Sequence, residues 1–105
     1  MKSLEFRCED ESPVRFDNEK VIVDYDEVGS IITVEILGYS YISGRSPAES
    51  DLVWLKRKVL SLSCDEELDV LTLQTAYETN VGQRSVQATV GFDIDGRLLS
   101  LTIQE

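Results

Sequence analysis

The chain has 105 residues, with 20 Asp and Glu against 10 Lys and Arg and no His, giving a formal net charge of −10 at neutral pH. Phosphate backbones and anionic bilayers need a basic face, so neither direct nucleic-acid binding nor membrane binding is expected. The lack of His removes the commonest acid–base group and the commonest transition-metal ligand, and the length sets one domain or two very small fused units.

In chain order, residues 1–8 read as a strand with Leu4, Phe6 and Cys8 on one face. Residues 9–13 form an acidic turn, Val14-Arg15-Phe16 a short strand, and residues 17–19 a second turn. Residues 21–36 predict a hairpin. Val21, Val23 and Tyr25 share one face going out, and Ile32, Val34 and Ile36 share one face coming back. Asp26-Glu27-Val28-Gly29 makes its turn. Asp leads such a turn because its carboxylate accepts a backbone N–H two residues on, and Gly closes it where the chain reaches positive φ. Gly38 breaks the pattern, and residues 39–42 either extend the hairpin or make a separate edge. Residues 46–63 predict an amphipathic helix. Ser46 is its N-cap, Pro47 its first residue and Glu49 the partner in a capping box, with Leu52, Leu55, Val59 and Leu62 on one face. Strands over 70–75, 85–92 and 98–103 follow, the last two joined by the turn Asp93-Ile94-Asp95-Gly96.

Residues 88–103 repeat residues 21–36 at an offset of 67: Val23 falls on Val90, Asp26 on Asp93, Gly29 on Gly96 and Ile36 on Ile103. The same ungapped offset carries Leu4 onto Leu71 and Phe6 onto Leu73. A lone unit of this size, roughly 40 residues, buries too little to fold alone, so two units sharing one core are expected. The expected fold class is α+β: two pseudo-symmetric antiparallel hairpin or meander units, residues 1–38 and 68–105, joined by one amphipathic helix over 46–63 packed on the sheet, all in a single domain.

Asp69-Val70-Leu71-Thr72-Leu73, followed after a polar gap by Val90-Gly91-Phe92-Asp93-Ile94-Asp95-Gly96-Arg97 and an apolar strand, resembles the small bacterial domain of unknown function 2283 family. Val21 to Gly29 with Val34-Glu35-Ile36 resembles the same closing hairpin. The first copy departs from the pattern in having Val28 where the second has Asp95, and in lacking the Asp-x-Leu opening. The resemblance implies a small β-rich fold and brings no catalytic residues.

No Cys-x-x-Cys pair and no Gly-rich phosphate loop occurs, and Cys8 and Cys64 read as free thiols. Residues 1–11 lack the apolar core of a signal peptide, and no apolar run approaches the roughly 20 residues of a membrane span, so a cytoplasmic location is expected. No catalytic set and no cofactor are assigned. One constellation has a chemical reading: Asp24, Asp26 and Glu27 in the first turn, with Asp93 and Asp95 in the second, offer hard oxygen ligands suited to Ca2+. On the predicted helix, Trp54, Arg57 and Lys58 form a basic, aromatic patch suited to a partner. The function expected is a non-catalytic protein-interaction module, its partner another protein or a second copy of the chain. Calcium binding and acidic mimicry of nucleic acid towards a basic protein are the alternatives.

Overall fold

Alternating apolar and polar residues, interrupted at Gly and Asp turns, organise the described residues into seven antiparallel strands in one curved, half-barrel sheet with little helix. The computed structural model describes residues 3–104; the first two residues of the expected opening strand and Glu105 at the end of the expected second unit lie outside the described residues. The strands are β1 (Ser3–Arg7), β2 (Arg15–Tyr25), β3 (Ile31–Leu37), β4 (Ser61–Asp65), β5 (Val70–Gln74), β6 (Gly82–Phe92) and β7 (Leu98–Gln104). They lie side by side in the order β1-β7-β6-β2-β3-β5-β4, so the long strands β2 and β6 pair at the centre and β1 and β4 form the two edges.

The bounds of β5, β6 and β7 are those of β1, β2 and β3 displaced by 67 positions. Registers follow the same displacement: Leu4 pairs with Ile103 and Leu71 with Ile36, while Val23 pairs with Val34 and Val90 with Leu101. Each hairpin carries a bulge at the corresponding place, between Asp24 and Tyr25 and between Gly91 and Phe92.

One face of the sheet is the core. Val21, Val23, Val34, Leu71, Leu73, Leu98, Leu101 and Ile103 are fully buried on it. Each contributes about 1.5–3 kcal/mol relative to exposure. At its margins, the guanidinium of Arg15 lies 4.4 Å from the centre of the Phe92 ring and that of Arg84 lies 5.1 Å from the Tyr25 ring. Cations stacked on aromatic faces in this way close the two ends of the core.

Three expectations are corrected. The helix over 46–63 is not one element: a 3-10 turn (Glu49–Leu52) and one turn of helix, α2 (Val53–Lys56), are followed by the strand β4. Ala48 rather than Ser46 stands at the start of this turn, in extended conformation and with no side-chain cap. The reason lies at the other end of the segment. Ser61, Ser63 and Asp65 alternate with Leu62 and Cys64, and pairing β4 with β5 sets Leu62 beside Leu73 and Cys64 beside Leu71. That non-local burial outweighs a marginal helix. Second, residues 39–42 do not extend the hairpin but belong to a short helix, α1 (Tyr39–Ser43). Asp69 starts it from across the chain: its carbonyl accepts the N–H groups of Gly38 (2.8 Å) and Tyr39 (3.1 Å), and its carboxylate accepts the backbone N–H (3.0 Å) and the hydroxyl O–H (2.8 Å) of Ser40. Third, residues 17–19 are strand rather than turn, because Asp17, Asn18 and Glu19 pair with Val90, Thr89 and Ala88 of β6.

Candidate interaction surface

The two acidic turns are built alike. Oδ1 of Asp26 accepts the N–H groups of Val28 (3.1 Å) and Ser30 (2.8 Å); Oδ1 of Asp93 accepts those of Asp95 (2.9 Å) and Arg97 (2.8 Å). Asp24 is committed as well, accepting the Thr33 hydroxyl at 2.6 Å and the Gln83 amide at 2.9 Å. Oδ2 of Asp93 is 2.6 Å from Nε of Arg97, and Asp95 is exposed, 3.9 Å from Nη2 of the same guanidinium. Burial pushes the Asp93 carboxyl up, but the N–H and guanidinium donors of Arg97 outweigh it, so the group is held below the usual carboxylate range. Asp26 and Asp93 therefore close their own turns, and Asp24 ties β2 to β3 and β6.

Asp24, Asp26 and Glu27 do not meet Asp93 and Asp95. β2 and β6 run antiparallel over 11 residues each, which puts the two turns at opposite ends of the sheet, about 35 Å apart at strand rise. Among the described residues no group of three or more Cys, Asp or Glu side chains is placed to hold a metal ion.

Trp54, Arg57 and Lys58 do come together. The indole N–H of Trp54 donates to the carbonyl of Leu98 at 2.8 Å, which pins α2 on the core face and leaves the ring partly buried. Lys58 reaches Glu9 at 3.3 Å. With Cys8, Glu9 and Asp10 the three residues line a cavity of about 300 Å3 beside the end of β1. Cys8 and Glu9 also border a second cavity, of about 340 Å3, on the opposite face, with Arg7, Pro13, Phe16 and Ser100.

The opposite face of the sheet is polar at its centre. Asn18 and Lys20 on β2, Ser85, Gln87 and Thr89 on β6, Ser100 and Thr102 on β7, and Thr33 and Glu35 on β3 point there by strand alternation. Ile22, half-buried, and Leu37 share that face, and Phe16 is its most exposed apolar residue at 60%, next to Val14 at 70%. β6 and β7 lie between β2 and β1, yet Phe16 borders the 340 Å3 cavity together with Arg7. Sequence reasoning missed Phe16, although a signal was present. Counting in twos from the core residue Val21 puts Phe16 on the other face, and the residue 67 positions on is Gln83.

β1 pairs with β7, and among the described residues no strand lies along its other edge. Cys8 N–H donates to Leu99 carbonyl at 2.8 Å, so by alternation the N–H groups of Leu4 and Phe6 also face β7 and those of Ser3, Glu5 and Arg7 face outward. Cys8 and Cys64 are both free thiols. No helix among the described residues is long and apolar enough to cross a membrane.

No family model matches this chain, and neither a curated protein nor a solved structure does.

Proposed function

We propose that this chain is a non-catalytic protein-interaction module made of two equivalent β units, related by an approximate two-fold axis between β2 and β6, and that it meets its partner on the β1 side. The two-unit reading is supported by the strand bounds, registers and turn bonds that recur at a displacement of 67. Membership of the domain of unknown function 2283 family is part of the same proposal and rests on the closing-hairpin residues.

One observation carries the interaction reading: Phe16, with Val14 just before β2, stands exposed at the end of a face whose centre is Ser, Thr, Asn, Gln, Lys and Glu around a half-buried Ile22. Phe16 also borders one cavity with Arg7 of β1, the strand whose outer edge no described strand covers, and an exposed aromatic in such a setting is the composition of a contact surface rather than of a solvated face. The two alternatives draw less support. A calcium site would have to form at one turn whose leading carboxylate already accepts backbone donors. Mimicry of nucleic acid needs a ridge of carboxylates, and the polar face is largely uncharged over its central strands.

The test is capture of a partner from the source cells on immobilised protein, compared with Phe16→Ser and with Tyr77→Ser, a still more exposed aromatic that follows β5 on the other side of the sheet. A protein retained saturably in high salt by the parent and by Tyr77→Ser, and lost by Phe16→Ser, is the expected result. Retention that disappears with salt to the same extent in all three contradicts it and points to the acidic surface.

A further inference from the structure

We infer that the free edge of β1 is a strand-addition site for an extended segment of the partner, apolar at the two positions beside Leu4 and Phe6 and basic at the position beside Glu5. The inference rests on the interaction reading above and names the surface and the chemistry of its ligand.

The molecule contains its own template for this contact. β5 stands to β3 as β1 stands to β7, register for register. Thr75 N–H donates to Ile32 carbonyl at 2.8 Å, as Cys8 does to Leu99, so Val70, Thr72 and Gln74 present their N–H groups on the side away from β3. On β5 that side is filled by β4, antiparallel, with Leu62 beside Leu73, Ser63 beside Thr72 and Cys64 beside Leu71. On β1 the corresponding groups of Ser3, Glu5 and Arg7 meet no strand among the described residues. Transferred to β1, the β4 register sets the two apolar positions against Phe6 and Leu4, which lie on the core face, and the middle position against Glu5. Main-chain bonds would supply affinity and the alternate side chains selectivity, as in strand addition generally.

Charge identifies the occupant. A second copy pairing through β1 in full overlap would set Glu5 opposite Glu5, and like charges directly opposite each other destabilise a strand pair. Each copy also carries −10. A foreign strand with Lys or Arg opposite Glu5 meets neither penalty, and the acidic field speeds its approach.

The probe is a synthetic peptide copying residues 60–66 with Ser63→Lys and Cys64→Val, titrated into isotopically labelled full-length protein and followed by amide shifts and hydrogen exchange. Saturable binding that slows exchange at Glu5 and Arg7 is expected. Glu5→Pro removes an outward N–H and no bond to β7, a placement an edge strand accepts, and it is expected to weaken the peptide at least tenfold. Should Glu5→Pro unfold, Glu5→Lys gives the same information: it loses the peptide carrying Ser63→Lys and gains the one carrying Ser63→Glu. The inference is overturned if the shifts centre on Phe16 or on β5, if neither variant discriminates, or if sedimentation shows a dimer that protects these amides without peptide. A captured partner still held by Glu5→Pro and Glu5→Lys would refute the edge and leave the interaction module standing. No captured partner at all would refute the module itself.

Discussion

Gly29 and Gly96 close equivalent turns at nearly the same φ, 83° and 85°, yet their surroundings differ. Around Gly29 a Cβ would meet nothing within 4 Å, whereas a Cβ on Gly96 would run into the backbone carbonyl oxygen of Ser43. The second turn is docked: Nη1 of Arg45 donates to the Asp95 carbonyl at 3.4 Å, and Nη2 of Arg15 to the Ser43 carbonyl at 3.1 Å, tying α1, the start of β2 and the turn together. The first turn borders an open cavity of about 330 Å3 with Glu78 and Thr79. The turn geometry follows from the local sequence, Asp first and Gly fourth, and so recurs. Docking depends on what the rest of the chain brings, and so does not.

The strongest challenge to that comparison is to add the missing methyl groups. Gly29→Ala should cost about 1–2 kcal/mol, the backbone strain of a left-handed residue. Gly96→Ala should cost about 2–5 kcal/mol, because overpacking adds to the same strain. Urea unfolding of the two variants checks the order, and equal losses would show the second turn to be undocked.

Alkaline unfolding probes the same docked region. Tyr39, the first residue of α1, is buried; burial first, then the charges of Asp51 and Cys64, push its hydroxyl well above the ordinary tyrosine value, with Arg45 opposing. A raised folded value means that the stability Tyr39 contributes is complete below its unfolded value near 10 and is lost as pH rises above it. The slope from this one group is about 1.4 kcal/mol per pH unit. Thermal melts between neutral and strongly alkaline pH should show this loss, and Tyr39→Phe should remove it.

Smaller effects separate the leading carboxylates. Asparagine keeps an oxygen for the two backbone donors, so Asp26→Asn should change stability by only a few tenths of a kcal/mol. Asp93→Asn also gives up the charge-assisted bond to Arg97 and should cost about 1 kcal/mol. Because the Asp93 value is lowered in the folded state, its contribution is present above the unfolded carboxyl value near 4 and fades as pH falls through the folded one. Acid melts of the parent and Asp93→Asn should converge there.

Much of the sheet was legible because the information is local. Two-residue alternation marked Val21, Val23, Val34 and Ile36 as core, and all four are buried. Asp and Gly marked both turns. The segment from Ser46 to Asp65 was not legible, since its helical spacing is outweighed by a partner strand, β5, that lies later in the chain. The same holds for Asp17 to Glu19, which read as a turn until β6 pairs with them. Of the candidate surface, Trp54, Arg57 and Lys58 were readable as a patch. Phe16 was readable by parity from Val21 and was missed, whereas the open edge was not readable, because an edge is defined by which strands lie beside it.

Native-state amide exchange of the free protein tests the account most directly, by comparing two equivalent sets of donors. Val70, Thr72 and Gln74, covered by β4, should exchange slowly, while Ser3, Glu5 and Arg7 should exchange at rates near those of an unprotected strand. Slow exchange at both sets would mean that the β1 edge is already occupied in the free protein and would contradict the account.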